Sequence, residues 1–403
     1  MVLAKRIRQV AASPTLAIDA KAKQLKSSGK DIINFGVGEP DFDTPDYIKE
    51  AGIEAIRQGH TKYTPAAGSP ELKEAVCEKL RRENGLEYAP KEIIINCGAK
   101  HSIYNIFQVL INPGDEVLIP SPYWVTYPEA VKLAGGKPVI LKTTEKTGFK
   151  LTAATLRRRI KPKTRMLILN SPSNPTGAVY SEAELRSLME VAVAKKIFVL
   201  SDEIYEHLVY DGVKHVSPAA VLPDAKKWTL LVNGVSKSFA MTGWRIGYTA
   251  GPAEIISAMS NLQSHSTSNP ASICMKAAYA ALTQPAQALP AMVAAFAERR
   301  NFVVEKLNAM PGVTCRKPEG AFYVFPNIAG TLGKVYRGQT ITTCMQMADY
   351  LLDAAQVALV PGDGFGAEDY LRISYATSME NLRRGLERMA AALAEGTAPK
   401  GKR

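Results

Sequence analysis

Short apolar runs alternate with longer amphipathic segments through the middle of the chain. Seven of these runs are rich in Ile, Val and Leu without polar alternation, which is typical of strands covered on both faces. They lie at residues 92–96, 116–120, 138–141, 166–170, 197–201, 229–233 and 246–250. Helical patterns, such as those at 181–194 and 252–263, lie between many of the runs. Strands that alternate with helices predict an α/β protein with a mostly parallel, doubly wound sheet.

The pattern changes beyond about residue 284. A long helical pattern at 287–310 is followed by strand patterns at 321–325, 357–360 and 370–374 and by helical patterns at 342–354 and 378–394. These elements predict a small α+β unit docked on the sheet. We expect the helical pattern at 16–27 and the apolar run at 32–35 to pack with that unit. The predicted division is an N-terminal arm with part of the small domain at 1–48, a large domain at 49–290 and a C-terminal small domain at 291–403.

The composition is that of an ordinary globular protein. Of the 403 residues, 46% are hydrophobic and 22% are charged, which excludes a disordered or collagen-like chain. The net charge of +12 equals the twelve Lys and Arg residues of three clusters, at 5–8, 157–165 and 400–403. None of these clusters is interleaved with aromatic residues or carried on a recognition motif. We therefore expect solvated surfaces there and no nucleic-acid partner.

The five cysteines are odd in number and scattered, without a CxxC pair. This pattern argues against a disulfide framework and a zinc site, and it favours a reducing compartment. No apolar run approaches the roughly 18 residues that a membrane span needs, and the basic start of the chain lacks the apolar core of a secretory signal. We expect a cytoplasmic protein with no metal and no membrane partner.

A lysine follows the predicted strand at 229–233. Lys237 lies in a polar turn, and Arg245 follows eight residues later between two glycines. Ligands bind at the carboxyl ends of strands in open α/β sheets, where burial lowers the pKa of a lysine and frees its amine as a nucleophile. Ser236 and Arg245 could hold a phosphate there. An ordinary surface lysine and arginine would fit this segment equally well.

A carboxylate, Asp202, directly follows the predicted strand at 197–201. Tyr205 comes three residues later, on the same face of a helical turn. A carboxylate at the edge of the sheet is unfavourable without a cation or a donor, and a protonated pyridine nitrogen would satisfy it. A helix N-cap is the alternative role for Asp202.

Two further strand ends carry polar or small residues. Asn174 lies in the turn after the strand at 166–170, and turn chemistry explains Gly177 and the prolines there but does not require two asparagines. The small residues around Ala99, after the strand at 92–96, would let backbone N–H groups at a helix N-terminus approach an anion. Each motif is weak alone.

Taken in order, these motifs resemble the fold-type I pyridoxal-phosphate aminotransferases, closest to the bacterial aspartate aminotransferase branch of class I. The likeness extends over essentially the whole chain, from Gly36-Val-Gly-Glu-Pro-Asp-Phe-Asp-Thr-Pro45 through Lys62-Tyr-Thr-Pro-Ala-Ala-Gly68 to Tyr370-Leu-Arg-Ile-Ser-Tyr375. It implies a large cofactor-binding domain with a mostly parallel sheet, and a small α+β domain built from both chain ends.

The resemblance implies that the cofactor is pyridoxal 5'-phosphate. Lys237 would be linked covalently to it and would shuttle a proton during transfer. Asp202 would keep its pyridine nitrogen protonated. Tyr205 and Asn174 would bind its phenolic oxygen, and Trp124 would stack on its ring. Its phosphate would be held by Ser236, Arg245, the backbone at Ala99 and Lys100, and Tyr63 from the second subunit of a homodimer.

The resemblance also implies contacts with the substrate. Arg372 would bind the α-carboxylate through its guanidinium fork, and Gly38 would contact it through its backbone. Trp124 and Asn174 would border the same site. Relatives in this branch bind the side-chain carboxylate with a lysine of the phosphate-binding loop, and Lys100 matches it. These contacts imply an aspartate aminotransferase, which transfers the amino group of L-aspartate to 2-oxoglutarate by a ping-pong mechanism through pyridoxamine phosphate.

Some residues depart from the family pattern. Gly234 replaces the serine that many class I enzymes have three residues before the lysine, which removes one phosphate contact. Relatives that also use prephenate tend to carry a basic residue before a Pro-Ser near the N-terminus, whereas this chain has Ala11-Ala-Ser-Pro14. An aminotransferase of the same branch acting on prephenate or an aromatic 2-oxo acid is therefore the alternative. Lys100, for its part, could simply neutralise the phosphate.

Two interpretations come from other classes of protein. A non-catalytic regulator that binds pyridoxal phosphate would carry a DNA-binding domain ahead of the aminotransferase unit, but only 35 residues precede Gly36. A basic nucleic-acid binder would show oligonucleotide binding that falls steeply with salt. We expect neither.

Overall fold

The seven predicted runs form one sheet in the computed structural model, which describes residues 3–398. Each run is a strand whose bounds lie within two residues of those expected. The strands are β1 Ile33–Asn34, β2 Ile93–Asn96, β3 Glu116–Ser121, β4 Lys137–Lys142, β5 Thr164–Asn170, β6 Phe198–Asp202, β7 Thr229–Gly234, β8 Gly247–Ala250, β9 Tyr323–Val324, β10 Val335–Tyr336, β11 Gln339–Thr340, β12 Val357–Ala358, β13 Val360–Pro361 and β14 Leu371–Ser374. The large sheet has the order β2-β8-β7-β6-β5-β3-β4.

Six strands of the large sheet point the same way. β3 pairs in parallel with β4 and β5, and β6 pairs in parallel with β5 and β7. Only β8 is reversed, because it pairs antiparallel with both β7 and β2. The carboxyl ends of six strands and the start of β8 therefore meet at one edge. The expected mostly parallel sheet is confirmed.

Helices cover both faces of this sheet, because its strands are apolar on both sides; β7, for example, is buried at every residue. The helices are α1 Pro14–Ser27, α2 Asp46–Arg57, α3 Pro70–Asn84, α4 Ala99–Leu110, α5 Thr126–Leu133, α6 Ala153–Arg159, α7 Glu182–Lys195, α8 Ala225–Trp228, α9 Ala253–Ser264, α10 Ser272–Thr283, α11 Ala288–Asn308, α12 Cys344–Ala354 and α13 Met379–Ala394. α4, α5 and α9 pack through apolar side chains on one face, and α6, α7 and α8 pack on the other. This arrangement is doubly wound.

The C-terminal residues build a second, smaller unit. β13, β14 and β9 form an antiparallel sheet, and β10 and β11 form a hairpin. α11 and α13 pack against this sheet around a core that includes Phe296, Phe322 and Leu386. The predicted run at 357–360 is divided into two strands, β12 and β13, which have different partners.

The N-terminal segment packs with this unit, as expected. β1 pairs in parallel with β12, and α1 contacts β12 and β13. Gly385 of α13 lies so close to Phe35 that a Cβ atom at position 385 would collide with the phenyl ring. The predicted bounds of the division, at residues 48 and 290, fall inside α2 and α11, and the division itself stays a prediction.

Two of the three basic clusters lie within the described residues. The Lys and Arg residues at 5–8 and 157–165 are exposed, the second group where α6 ends and β5 begins. The cluster at 400–403 lies outside the described residues. Among residues 3–398, no helix is both long enough and apolar enough to cross a membrane.

Candidate active site

A cavity of about 350 Å³ opens at the edge where the carboxyl ends of the parallel strands meet. Residues at or after the ends of β2, β3, β5, β6 and β7 line it, together with residues 36–39 and part of β14. The sequence-predicted residues among them are Gly38, Ala99, Lys100, Trp124, Asn174, Asp202, Tyr205, Ser236, Lys237, Arg245 and Arg372. The structure brings all the predicted site residues together except Tyr63.

The amine of Lys237 lies in this cavity. Its Nζ donates a hydrogen bond of 2.7 Å to the carbonyl oxygen of Gly38. Burial lowers the pKa of Lys237 to about 8; Glu39 opposes this shift, whereas Arg245 and Arg372 add to it. With a pKa near 8, about a tenth of the amine is unprotonated at pH 7. Lys237 can therefore act as a nucleophile or as a base near neutral pH.

The carboxylate of Asp202 is buried, with 3% of the residue exposed. Its Oδ2 accepts a hydrogen bond of 2.7 Å from the Tyr127 hydroxyl, and its Oδ1 accepts one of 3.3 Å from the Ile204 N–H. Burial raises the pKa of Asp202 to about 6, although both hydrogen bonds oppose the shift. Residues 204–207 form a turn and not a helix, so the alternative N-cap role does not apply. A cation beside this carboxylate would stabilise its ionised form.

Two tyrosines meet next to Lys237. The hydroxyl oxygens of Tyr205 and Tyr323 lie 3.0 Å apart, and their rings pack edge to face. Phe322 packs edge to face against Tyr205 from another side. The phenol of Tyr205 is thereby fixed in orientation while its residue remains part of the cavity wall.

Arg372 carries a buried guanidinium group, with 2% of the residue exposed. Its Nη2 donates to the carbonyl oxygen of Gly36 at 2.6 Å, and its Nη1 donates to Oδ1 of Asn174 at 3.3 Å. The ring of Tyr323 lies 4.6 Å from the guanidinium carbon. The Nε atom of Arg372 is buried and has no partner among residues 3–398. The fork therefore has an unused donor, and a carboxylate is the anion that its geometry matches.

The first turn of α4 forms an anion-binding arrangement with Arg245. The N–H groups of Ala99 and Lys100 have no carbonyl partner within their helix, because they lie in its first turn. A Cβ atom on Gly98 would collide with the Arg245 guanidinium, and one on Gly247 would collide with the backbone nitrogen of Ala99. The two glycines thus let a cation and a helix N-terminus approach one another, as a phosphate site requires.

Lys100 places a second cation on the cavity wall. Its Nζ lies 4.9 Å from the centre of the Trp124 ring. Burial lowers the pKa of Lys100, and the nearby Arg245 adds to this shift. In the described part of the chain, no carboxylate forms an ion pair with this ammonium group. Lys100 is therefore available to an anionic ligand.

Buried polar contacts of Glu206 hold the segment from Asp202 to Glu206 in place. Glu206 pairs with the buried ammonium of Lys79 and accepts hydrogen bonds from Asn84 at 3.0 Å and from Asn233 at 2.7 Å. Although burial opposes it, Lys79 holds the pKa of Glu206 well below its usual range. Because Asn233 lies in β7, one carboxylate stabilises both the strand before Lys237 and the turn after Asp202.

Sequence reasoning missed several residues of the cavity. Tyr127 lies three residues after Trp124 in α5, so the end of β3 was a usable signal for it. Tyr323 and Glu39 had no such signal, because neither follows a strand of the large sheet. Tyr63 is 90% exposed and lies outside the cavity, so within one chain it does not contribute to the site.

Comparisons with known proteins agree with this geometry. Residues 30–389 match the model of the family described as aminotransferase class I and II. An aspartate aminotransferase from Geobacillus stearothermophilus is 51% identical over 392 residues, which cover 96% of this chain and 98% of that protein. An aspartate/prephenate aminotransferase from Cereibacter sphaeroides is 50% identical over 391 residues, with coverage of 96% and 98%.

A solved structure is also closely similar. The crystal structure of the aspartate aminotransferase from Rhizobium meliloti matches with a TM-score of 0.96 and 48% sequence identity. The match covers 98% of this chain and 100% of that chain. It confirms the fold-type I architecture expected from the sequence.

The raised pKa of Asp202 predicts a pH-dependent effect of Asp202→Asn on the chain without cofactor. Between about pH 3.9 and pH 6 the unfolded state releases the Asp202 proton while the folded state keeps it, so wild-type stability falls as the pH rises. Asn at this position does not titrate. Chemical denaturation should therefore show D202N gaining about 2 kcal/mol on wild type between pH 4 and pH 7. A difference that stays constant over this range would mean that Asp202 is already ionised in the folded chain at pH 4.

Proposed function

Because the chain belongs to the class I and II aminotransferase family, we propose that it transfers the amino group of L-aspartate to 2-oxoglutarate, giving oxaloacetate and L-glutamate. One observation carries this proposal: Arg372 and Lys100, two cations that form no ion pair with a carboxylate of residues 3–398, lie on the wall of the cavity that contains Lys237. Two cations suit the two carboxylates of aspartate, glutamate and their oxo acids. The names of the relatives in Geobacillus and Rhizobium support the same substrate.

The enzyme uses pyridoxal 5'-phosphate, the cofactor of its family, and the cavity has groups that fit each part of it. The first turn of α4 with Arg245 and Ser236 would hold the phosphate, because Gly98 and Gly247 leave room there for backbone and guanidinium to meet. Asp202 would hold the ring nitrogen. Its buried carboxyl has a raised pKa, which a protonated nitrogen would reverse.

The remaining contacts would orient the ring. Tyr205 and Asn174 would bind the phenolic oxygen, and Trp124 would stack on the ring face. When bound, pyridoxal phosphate supplies an electron-withdrawing ring that stabilises negative charge at the substrate α-carbon. The hydrogen bond from Tyr127 holds Asp202 in place while it carries the negative charge.

Lys237 has two tasks in this proposal. Its lowered pKa provides an unprotonated amine, which would anchor the cofactor to the chain. When it is not linked to the cofactor, the same amine would take the proton from the substrate α-carbon and return a proton at the end of each transfer. Arg372 would bind the α-carboxylate meanwhile, and its burial strengthens that contact.

The second candidate function is transfer to prephenate or an aromatic 2-oxo acid. The relative from Cereibacter sphaeroides that is named for both activities supports it. Against it, residues 11–14 supply no basic side chain, and Ser13 instead caps α1 by accepting from the Leu16 N–H. Prephenate and phenylpyruvate therefore belong in the acceptor panel that tests the proposal.

We propose a homodimer with shared active sites and a cytoplasmic location. The exposure of Tyr63 on a single chain supports the dimer, because its phenol is free to reach a neighbouring subunit.

The five free thiols support the cytoplasmic location, because free thiols are typical of a reducing compartment. Cell fractionation that recovers the protein outside the cytoplasm would contradict the second part.

Lys237→Ala should retain the cofactor without a covalent link. Asp202, Arg245 and the α4 N-terminus are unchanged in the variant, so cofactor still binds, but borohydride should no longer attach it to the chain. Mass mapping after reduction gives the result, with Lys146→Met, an exposed lysine outside the cavity, as the control. Cofactor attached to another lysine in K237A would overturn the assignment.

Tyr63→Phe should weaken cofactor retention in a dimeric holoenzyme. A hydrogen bond from the phenol to a phosphate is worth about 1.5–3 kcal/mol, so the Kd for cofactor should rise about ten- to a hundredfold. Tyr279→Phe, at an exposed tyrosine outside the cavity, is the control. A wild-type protein that sediments with the mass of one 43.7 kDa chain while fully active would refute the shared site.

Lys100→Met should change substrate choice. The variant keeps the apolar stem against Trp124 and removes the charge. The kcat/KM for aspartate and glutamate should fall about ten- to a hundredfold, while alanine and phenylalanine change little.

The same variant distinguishes the two roles of Lys100. If all amino acids lose activity equally and cofactor affinity falls, Lys100 is a phosphate ligand and the dicarboxylate proposal loses its support. Lys146→Met should leave every one of these values unchanged.

A further inference from the structure

A chain of hydrogen bonds runs from α1 to the carboxylate-binding arginine. Asn34 donates from Nδ2 to Oδ1 of Asp19 at 2.9 Å. Its Oδ1 accepts from the backbone N–H of Gly36, also at 2.9 Å. The carbonyl oxygen of Gly36 in turn accepts from Nη2 of Arg372. From this chain we infer that Asn34 is a positioning residue for Arg372, an inference that rests on the proposed function because it assumes that Arg372 binds substrate.

The carboxamide of Asn34 satisfies both ends of this link, because its NH₂ donates and its oxygen accepts. The Gly36 N–H needs an acceptor, and the Asp19 carboxylate needs a donor, so the two halves of the Asn34 amide face opposite ways. Asp19 thus fixes which way the amide points. An aspartate at position 34 would bring two carboxylates together, and an alanine would leave the Gly36 N–H without its partner.

The Gly36 peptide transmits this constraint to the guanidinium group. Gly36 lies between Asn34 and Val360, and a Cβ atom there would come within 3.2 Å of Oδ1 of Asn34. The Asn34 bond to the Gly36 N–H and the bond of 2.8 Å from the Ser374 N–H to the Phe35 carbonyl oxygen together fix the peptide unit just before the one that carries the Gly36 carbonyl oxygen. That oxygen accepts a hydrogen bond from Nη2 of Arg372. The Nε atom of Arg372 has no partner in the described structure. Rotation of this peptide would release Nη2 and turn the fork away from the substrate.

The same short segment also contacts Lys237. Gly38, two residues after Gly36, accepts the hydrogen bond from the lysine amine. A general disturbance of the segment would therefore affect both Arg372 and Lys237. A loss confined to the link from Asn34 to Gly36 would affect the carboxylate contact first, and this difference separates positioning from mere stability.

The test compares Asn34→Asp, Asn34→Ala and the exchanged pair Asn34→Asp with Asp19→Asn in the holoenzyme. N34D and N34A should raise KM for both L-aspartate and 2-oxoglutarate about three- to tenfold, with kcat and the cofactor absorbance little changed. In the exchanged pair, the amide introduced at position 19 can donate to the carboxylate introduced at position 34. That carboxylate still accepts from the Gly36 N–H, so KM should return towards the wild-type value.

Lys23→Met is the matched control, since it removes the exposed ion pair on Asp19 without touching Asn34. KM in this control should equal that of wild type. The inference is overturned if the exchanged pair fails to recover KM, or if N34D and N34A lower kcat and cofactor retention as much as they raise KM. If wild type turns over another amino acid in place of aspartate, the proposed function fails, and the same KM comparison made with that amino acid still decides the role of Asn34.

Discussion

The buried contact between Glu206 and Lys79 is the constraint on which the rest of the site depends. Both side chains are almost fully buried, and the glutamate also binds amide groups of α3 and β7. Removing one member of a buried ion pair typically costs about 3–5 kcal/mol, because the other charge remains without a partner. Asp202 and Tyr205, which precede this carboxylate in the chain, face the cavity. The same pair therefore stabilises the fold and fixes the groups that would hold the cofactor ring.

Burial also gives the site its chemistry. It raises the pKa of Asp202 to about 6 and lowers that of Lys237 to about 8, so both groups titrate within about one unit of neutrality. A bound cation would return Asp202 to its ionised form, and a bound anion would stabilise the positive charge of Arg372 or Lys100. Ligand binding therefore relieves unfavourable electrostatics that folding creates.

Much of this arrangement could be predicted from the sequence, because strands covered on both faces are continuous apolar runs. Their ends located Lys237, Asp202, Asn174 and Ala99, and the edge rule for parallel sheets brought them together. The reversed direction of β8 was not predicted, since an apolar run has no direction. The pairing of Lys79 with Glu206, 127 positions apart, left no local signal. Arg372 lies outside the large sheet and was identified through the family resemblance alone.

The specificity of the wild-type enzyme tests the central claim most directly. Purified holoenzyme should be assayed with aspartate, glutamate, alanine and phenylalanine as donors, and with 2-oxoglutarate, prephenate and phenylpyruvate as acceptors. We predict a kcat/KM for aspartate with 2-oxoglutarate at least about tenfold above that of any pair with a monocarboxylic amino acid. Equal or better transfer from phenylalanine, or to phenylpyruvate, would contradict a site built for two carboxylates, and a preference for prephenate, which itself carries two carboxylates, would contradict the proposed acceptor.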